Sequence, residues 1–233
     1  MNARTMKAGA LPRILLVEDD PVSRAYLVEA LAGAAEVVAV GGMEAALAAA
    51  GAGAAFALWL LDAHLADGDG IALLCRLRAQ APGTPALAHT ADPDPAIALA
   101  LRQAGFDDVL LKPIAVRALR QAVAAALGHG GSAIAEAASP PWQPVLQQLF
   151  RAELPRQRDA VREALQRGRH ADARACLHRL HGSCALVGER ELARAVQALQ
   201  AAPGSRSAWR TFERAVARML RLQDAAEVGQ QVP

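Results

Sequence analysis

Aromatic residues are scarce: three Trp, one Tyr and four Phe, 3% of the 233 residues. Apolar residues still reach 53%, with alanine supplying most of the excess. Small side chains of this kind favour closely packed helices over a β-sandwich, so an α-rich or α/β protein is expected. Cysteine is rare and odd in number (Cys75, Cys176, Cys184), which fits no disulfide framework and suits a reducing, cytoplasmic compartment. Long apolar runs are missing. The opening "MNARTMKAGALPRILLVEDD" has an apolar run of four before three acids, unlike a secretory leader. The longest uncharged run, Ala45 to Leu61, is rich in Ala and Gly and ends at Asp62, so it reads as helix, turn and buried strand. A soluble protein with no membrane partner is expected. Lysine is almost absent, since of 25 basic residues only Lys7 and Lys112 are lysine.

What is present divides the chain in two. Up to Gly130 there are ten basic residues against thirteen acidic, and beyond it fifteen against ten, so the halves carry opposite charge. In the first half "RILLV", "AEVVAV", "FALWLL", "PALAH" and "DDVLL" are apolar runs of strand length, each followed by a stretch with helical spacing. Runs apolar at every position imply strands buried on both faces: a parallel sheet sheathed by helices, with ligands at the carboxyl ends of its strands. The expected divisions are a tail over 1–12, an α/β domain over 13–127, and a Gly/Ser/Ala/Pro linker over 128–141. An all-α bundle over 142–226 and a tail over 227–233 complete the chain. In the bundle, Pro155 and Gly168 bracket one helical segment and "PGS" at 203–205 separates the last two.

Acids stand where strands end: Glu18, Asp19 and Asp20 after the first, Asp62 after the third. Asp20 before Pro21 reads as a helix N-cap with proline at the first helical position. The others converge, because the first and third strands of such a sheet are neighbours. Carboxylates gathered at one point repel unless a hard cation lies between them, and oxygen-only ligands suit Mg²⁺. Two further strand ends add Thr90 and Lys112, a hydroxyl and a compact ammonium fit to contact phosphoryl oxygens. The set points to phosphoryl transfer onto a carboxylate.

In order and approximate spacing, "ILLVEDDP", "LLDAHLADGDG", "HTA" and "LLKP" resemble the motifs of response-regulator receiver domains. The resemblance implies a flavodoxin-like, doubly wound five-stranded parallel sheet of order 2-1-3-4-5. It implies Asp62 as phospho-acceptor, Glu18 and Asp19 holding Mg²⁺ together with the His64 backbone carbonyl, Thr90 as switch hydroxyl, and Lys112 against the phosphoryl group. The sequence departs from the family at Leu65 and Ala66, where Met-Pro is usual, and at Val109, where an aromatic switch residue is common. The first departure is expected to soften a loop and the second to alter the conformational readout. His64 and His89 read as loop and strand-end residues.

In the second half "CLHRLHGSC", Cys176 to Cys184, places His178, His181 and Cys184 along one helical stripe. Cys176 lies about 12 Å along the axis from Cys184, too far to share a metal. The spacing alone leaves open a His, His, Cys metal site, a catalytic base, a phosphate carrier or a polar helix face. The stretch resembles the signature of histidine-containing phosphotransfer (HPt) domains, which implies His178 as phospho-acceptor. His181 stands where the family usually has lysine and is a candidate assisting residue whose help depends on protonation. His170 and His129 read as solvated.

The fifteen arginines of the second half raise a nucleic-acid surface, but acids interleave them and no recognition-helix signature is present, so a nucleic-acid partner is not expected. No glycine-rich nucleotide-binding segment is present, so the chain holds no kinase domain. The expectation is a phosphorelay protein with two partners: a sensor histidine kinase or other phosphohistidine donor, and a receiver, its own or another protein's. The rival is a receiver-controlled adaptor whose bundle binds a kinase or receiver without phosphotransfer.

Overall fold

The computed structural model describes residues 11–53, 55–128 and 142–229, with side chains to Arg221. The chain divides into two compact units, one in each half. Most of the expected linker and N-terminal tail, and the last four residues, lie outside the described residues.

The first unit alternates strand and helix: β1 (Arg13–Val17), α1 (Pro21–Leu31), β2 (Glu36–Val40), α2 (Met43–Gly51) and β3 (Leu58–Asp62). A short hairpin follows, β4 (His64–Leu65) and β5 (Gly68–Asp69), then α3 (Gly70–Gln80), β6 (Ala86–Thr90), α4 (Pro95–Gln103), β7 (Asp108–Leu111) and α5 (Val116–Ala126). The main sheet has the order β2-β1-β3-β6-β7, all parallel. Counting only its own strands, this is the doubly wound 2-1-3-4-5 order. The three central strands have nearly every residue buried, whereas edge strand β2 is only partly buried. Burial on both faces is why they read as unbroken apolar runs.

The helix starts follow the expected chemistry. Asp20 caps α1, accepting from the Ser23 N–H at 2.8 Å with Pro21 in the first turn, and Asp94 and Pro95 repeat the device at α4. The hairpin was not foreseen, and it changes the reading of the loop after β3. Leu65 is buried, and the Asp67 carboxylate accepts the Met43 N–H at 2.8 Å at the start of α2. That bond fastens the loop to the start of α2.

The second unit is all helical: α6 (Gln143–Gln166), α7 (His170–Val187), α8 (Arg190–Ala201) and α9 (Arg206–Gly229). Each helix packs on the next, and α9 also meets α6. Pro155 was expected to open a new helix, yet α6 runs straight through it. Proline removes one backbone donor and costs about 3 kcal/mol inside a helix. Leu146, Phe150 and Leu154 before it and Val161 and Ala164 after it bury on one continuous stripe, and that packing outweighs the loss. Gly188, at φ +80°, ends α7 in a left-handed turn that a side chain would strain.

Candidate functional site

The parallel register brings four strand ends to one edge of the sheet. Glu18 follows β1, Asp62 closes β3, Thr90 closes β6 and Lys112 follows β7. Glu18, Asp62 and Thr90 are buried, and Asp19 is half-buried. One oxygen from each of Glu18, Asp19 and Asp62 falls within 4.8 Å of the others, and among the described residues no other such metal-capable cluster of three or more forms. The Lys112 ammonium bridges two of them, donating to Glu18 Oε2 at 2.5 Å and to Asp62 Oδ2 at 2.6 Å. The His64 N–H donates to Asp62 Oδ1 at 3.0 Å, so both oxygens of Asp62 are engaged. The His64 side chain is exposed. The Lys112–Pro113 peptide is cis.

Electrostatics follow from this crowding. Burial pushes the Glu18 carboxyl above its ordinary range against the pull of Lys112, and burial together with Glu18 does the same to Asp62. Burial works against the Lys112 ammonium, but Glu18 and Asp62 overcome it and raise its pKa. The oxygens are all hard carboxylates, with two of the three side chains short Asp, a donor set that fits a small dication such as Mg²⁺.

Around the acids, the backbone is held from several sides. The Arg24 guanidinium donates to the Glu18 carbonyl at 2.6 Å. A Cβ at Gly70 would come within 2.5 Å of the Asp62 carbonyl, so only glycine lets α3 start this close to β3. Thr90 Oγ1 accepts the Asp92 N–H at 3.1 Å. Val109 is half-buried against the core.

His89 was not singled out in the sequence beyond a strand-end role, yet it is 4% exposed, beside Glu18. Neither ring nitrogen has a hydrogen-bond partner among the described residues. Leaving such a group unsatisfied costs about 1–3 kcal/mol. Burial, and after it the Lys112 charge, hold its pKa well below the usual 6.5. In the unfolded chain His89 takes up a proton near that value, and in the folded protein it does not. Its contribution is therefore intact above 6.5 and lost as pH falls toward the depressed folded value. In Mg²⁺-free buffer, unfolding free energies from urea melts between pH 7.5 and 5.5 should fall more steeply for the wild type than for His89→Leu, by up to about 1.4 kcal/mol per pH unit below 6.5.

In the second unit, His178 and His181 are half-buried on α7, and Cys184 is fully buried. A His, His, Cys metal site is not formed among the described residues, because Cys184 belongs to the core and the imidazoles do not. Gly182, one turn past His178, has open space beside it. His178 Nδ1 lies 3.4 Å from Gln200 Nε2 on α8. Sequence reasoning passed over Gln200, which sits on a different helix and carries no local motif.

Comparison with known proteins matches both units. Residues 14–124 match the response regulator receiver domain, and residues 145–230 match the Hpt domain. The chain therefore belongs to the two-component phosphorelay proteins, as a receiver domain followed by an Hpt domain. Among solved structures it is similar to a CheY-like response regulator receiver domain protein from Methanospirillum hungatei JF-1, with 27% identity and a TM-score of 0.48 over 51% of this chain and 95% of that one. It is also similar to the chemotaxis response regulator CheY4 of Vibrio cholerae, with 22% identity and a TM-score of 0.47 over 50% of this chain and 99% of that one. No curated protein matches the chain. Among the described residues no helix is long and apolar enough to cross a membrane.

Proposed function

We propose that Asp62 accepts a phosphoryl group from a phosphohistidine donor such as a sensor histidine kinase, and that His178 carries phosphate to or from a receiver. The observation that carries this reading is the pocket in which Lys112 bridges Glu18 and Asp62 beside Asp19 and Thr90. In the first step an Asp62 oxygen attacks phosphorus, an O–P bond forms, the donor's N–P bond breaks, and the freed imidazole takes up a proton. Glu18, Asp19, Asp62 and the His64 carbonyl would hold Mg²⁺, which when bound offsets the charge on the transferring group. Lys112 and Thr90 supply donors to the phosphoryl oxygens.

For His178 the Gln200 amide sets the tautomer. With the amide turned so that Oε1 accepts from Nδ1–H, the proton is kept on that nitrogen, and Nε2 keeps the lone pair that attacks phosphorus. When the donor is an acyl phosphate, its O–P bond breaks as N–P forms, and the carboxylate leaves ionised. His181 assists when protonated. The three free cysteines suit a cytoplasmic setting. The adaptor reading is not favoured by the domain pair.

The deciding experiment is incubation of the full chain with acetyl phosphate, with and without Mg²⁺, and mass-spectrometric mapping of the label over time. Mg²⁺-dependent label on Asp62 followed by label on His178 supports both sites and an internal hop. Label confined to Asp62 directs the bundle to outside partners, and no label on a folded protein overturns the reading. A simpler measurement bears on the metal. Mg²⁺ at ten times its dissociation constant should stabilise the wild type by about 1.4 kcal/mol, read as a rise in Tm, and Asp19→Asn should remove most of that rise.

A further inference from the structure

His89 lies inside the acid pocket, yet neither acceptance of phosphate nor the carboxylate metal site draws on it. Its side chain is 5% exposed, on β6 directly across from Asp62 in the β3 register. Its Nδ1 is 3.5 Å from Glu18 Oε2, the same oxygen that Lys112 Nζ reaches at 2.5 Å. One buried carboxylate oxygen thus faces two donors, and only the ammonium is hydrogen-bonded to it.

Lys112 has a second obligation, at 2.6 Å to Asp62 Oδ2. A phosphoryl group on Asp62 places new negative charge farther out than the carboxylate, and the adjacent ammonium is drawn toward it. Glu18 is 0% exposed, so even with Mg²⁺ held by the cluster the departing ammonium would leave Oε2 one hydrogen bond short. The imidazole is the donor at hand, and a small movement of its ring closes the gap to hydrogen-bond distance.

We propose that His89 is a positioning residue of the phosphorylated state: as Lys112 turns to the phosphoryl group on Asp62, the His89 Nδ1–H takes over the Glu18 oxygen and holds that carboxylate in place. The proposal rests on the reading of Asp62 as phospho-acceptor. It concerns the neutral imidazole and requires no change of its charge.

The test uses the full chain and beryllofluoride, which stands in for a phosphoryl group on a carboxylate. Ring nitrogens are followed by NMR in histidine-labelled protein, with His89→Leu assigning the resonance. With Mg²⁺ alone the His89 Nδ1 proton should resonate where an imidazole N–H without a hydrogen-bond acceptor does, and on adding beryllofluoride it should shift downfield. Beryllofluoride affinity, followed by fluorine NMR, should fall about tenfold in His89→Leu and recover in His89→Gln, while Mg²⁺ affinity stays within about twofold. A purely structural role would move both affinities or neither. A wild-type His89 ring unmoved by bound beryllofluoride overturns the proposal and leaves Asp62 standing, as does wild-type affinity in a folded His89→Leu. If that variant does not fold, the wild-type ring decides, its resonance assigned with folded His89→Gln. Failure of the wild type to bind beryllofluoride overturns the Asp62 reading and this proposal with it.

Discussion

Asp62→Asn should abolish Mg²⁺-dependent labelling of the receiver by acetyl phosphate, with a fall of at least about a thousandfold, while the protein stays folded. The amide keeps the volume of the carboxylate and one oxygen, which can accept from either the His64 N–H or Lys112 but not replace both acceptors. What it loses is the nucleophile. Lys112→Ala separates this from electrostatics: the nucleophile remains, but the buried Glu18 and Asp62 lose the cation they share. Labelling should then slow markedly without vanishing, and without Mg²⁺ the protein should be less stable. The measurement is intact-protein mass spectrometry against time, with a thermal melt on each variant. A labelled Asp62→Asn protein would mean that another side chain accepts phosphate.

His178→Ala should remove all phosphohistidine from the bundle and leave its Tm nearly unchanged, because the side chain is half-exposed on α7 and outside the core. His181→Ala should keep the label. Gln200→Leu offers a finer cut. The Gln200 amide lies against His178 Nδ1; in the proposed orientation its oxygen accepts from Nδ1–H, and losing that bond lets the ring populate the tautomer whose proton blocks attack. Transfer should slow by about tenfold, with the loss in rate and not in receiver affinity. Gln200→Glu keeps an acceptor and should retain transfer. Quench-flow transfer from a phosphorylated receiver, under conditions that preserve phosphohistidine, reads all four variants. Equal rates in Gln200→Leu and wild type would show that the amide does not set the tautomer.

The receiver sheet was legible because its central strands are buried on both faces, which writes unbroken apolar runs through β1, β3 and the start of β6, Ile14–Val17, Leu58–Leu61 and Ala86–Ala88. The acid cluster was legible for a related reason, since charge at the end of such a run has no place in the core. Four features were not. Pro155 reads as a break, and only the tertiary stripe from Leu146 to Ala164 reveals a continuous helix. The β4-β5 hairpin has two residues per strand, too few for a period. Gln200 and His89 acquire meaning from partners 22 and 71 residues away, a relation that local pattern does not encode.

Between Thr90 and Ala96 the backbone is laced in three steps, each an oxygen side chain accepting from the N–H two residues on: Thr90 from Asp92, Asp92 from Asp94, and Asp94 from Ala96. Pro93 and Pro95 fix two further torsions within the same span. Such a segment retains little conformational entropy, so it neither absorbs a displacement nor gains much by ordering. On the proposed reading of Thr90 as switch hydroxyl, a displacement of that residue toward a phosphoryl group is passed through these links to the start of α4 as through a short rod.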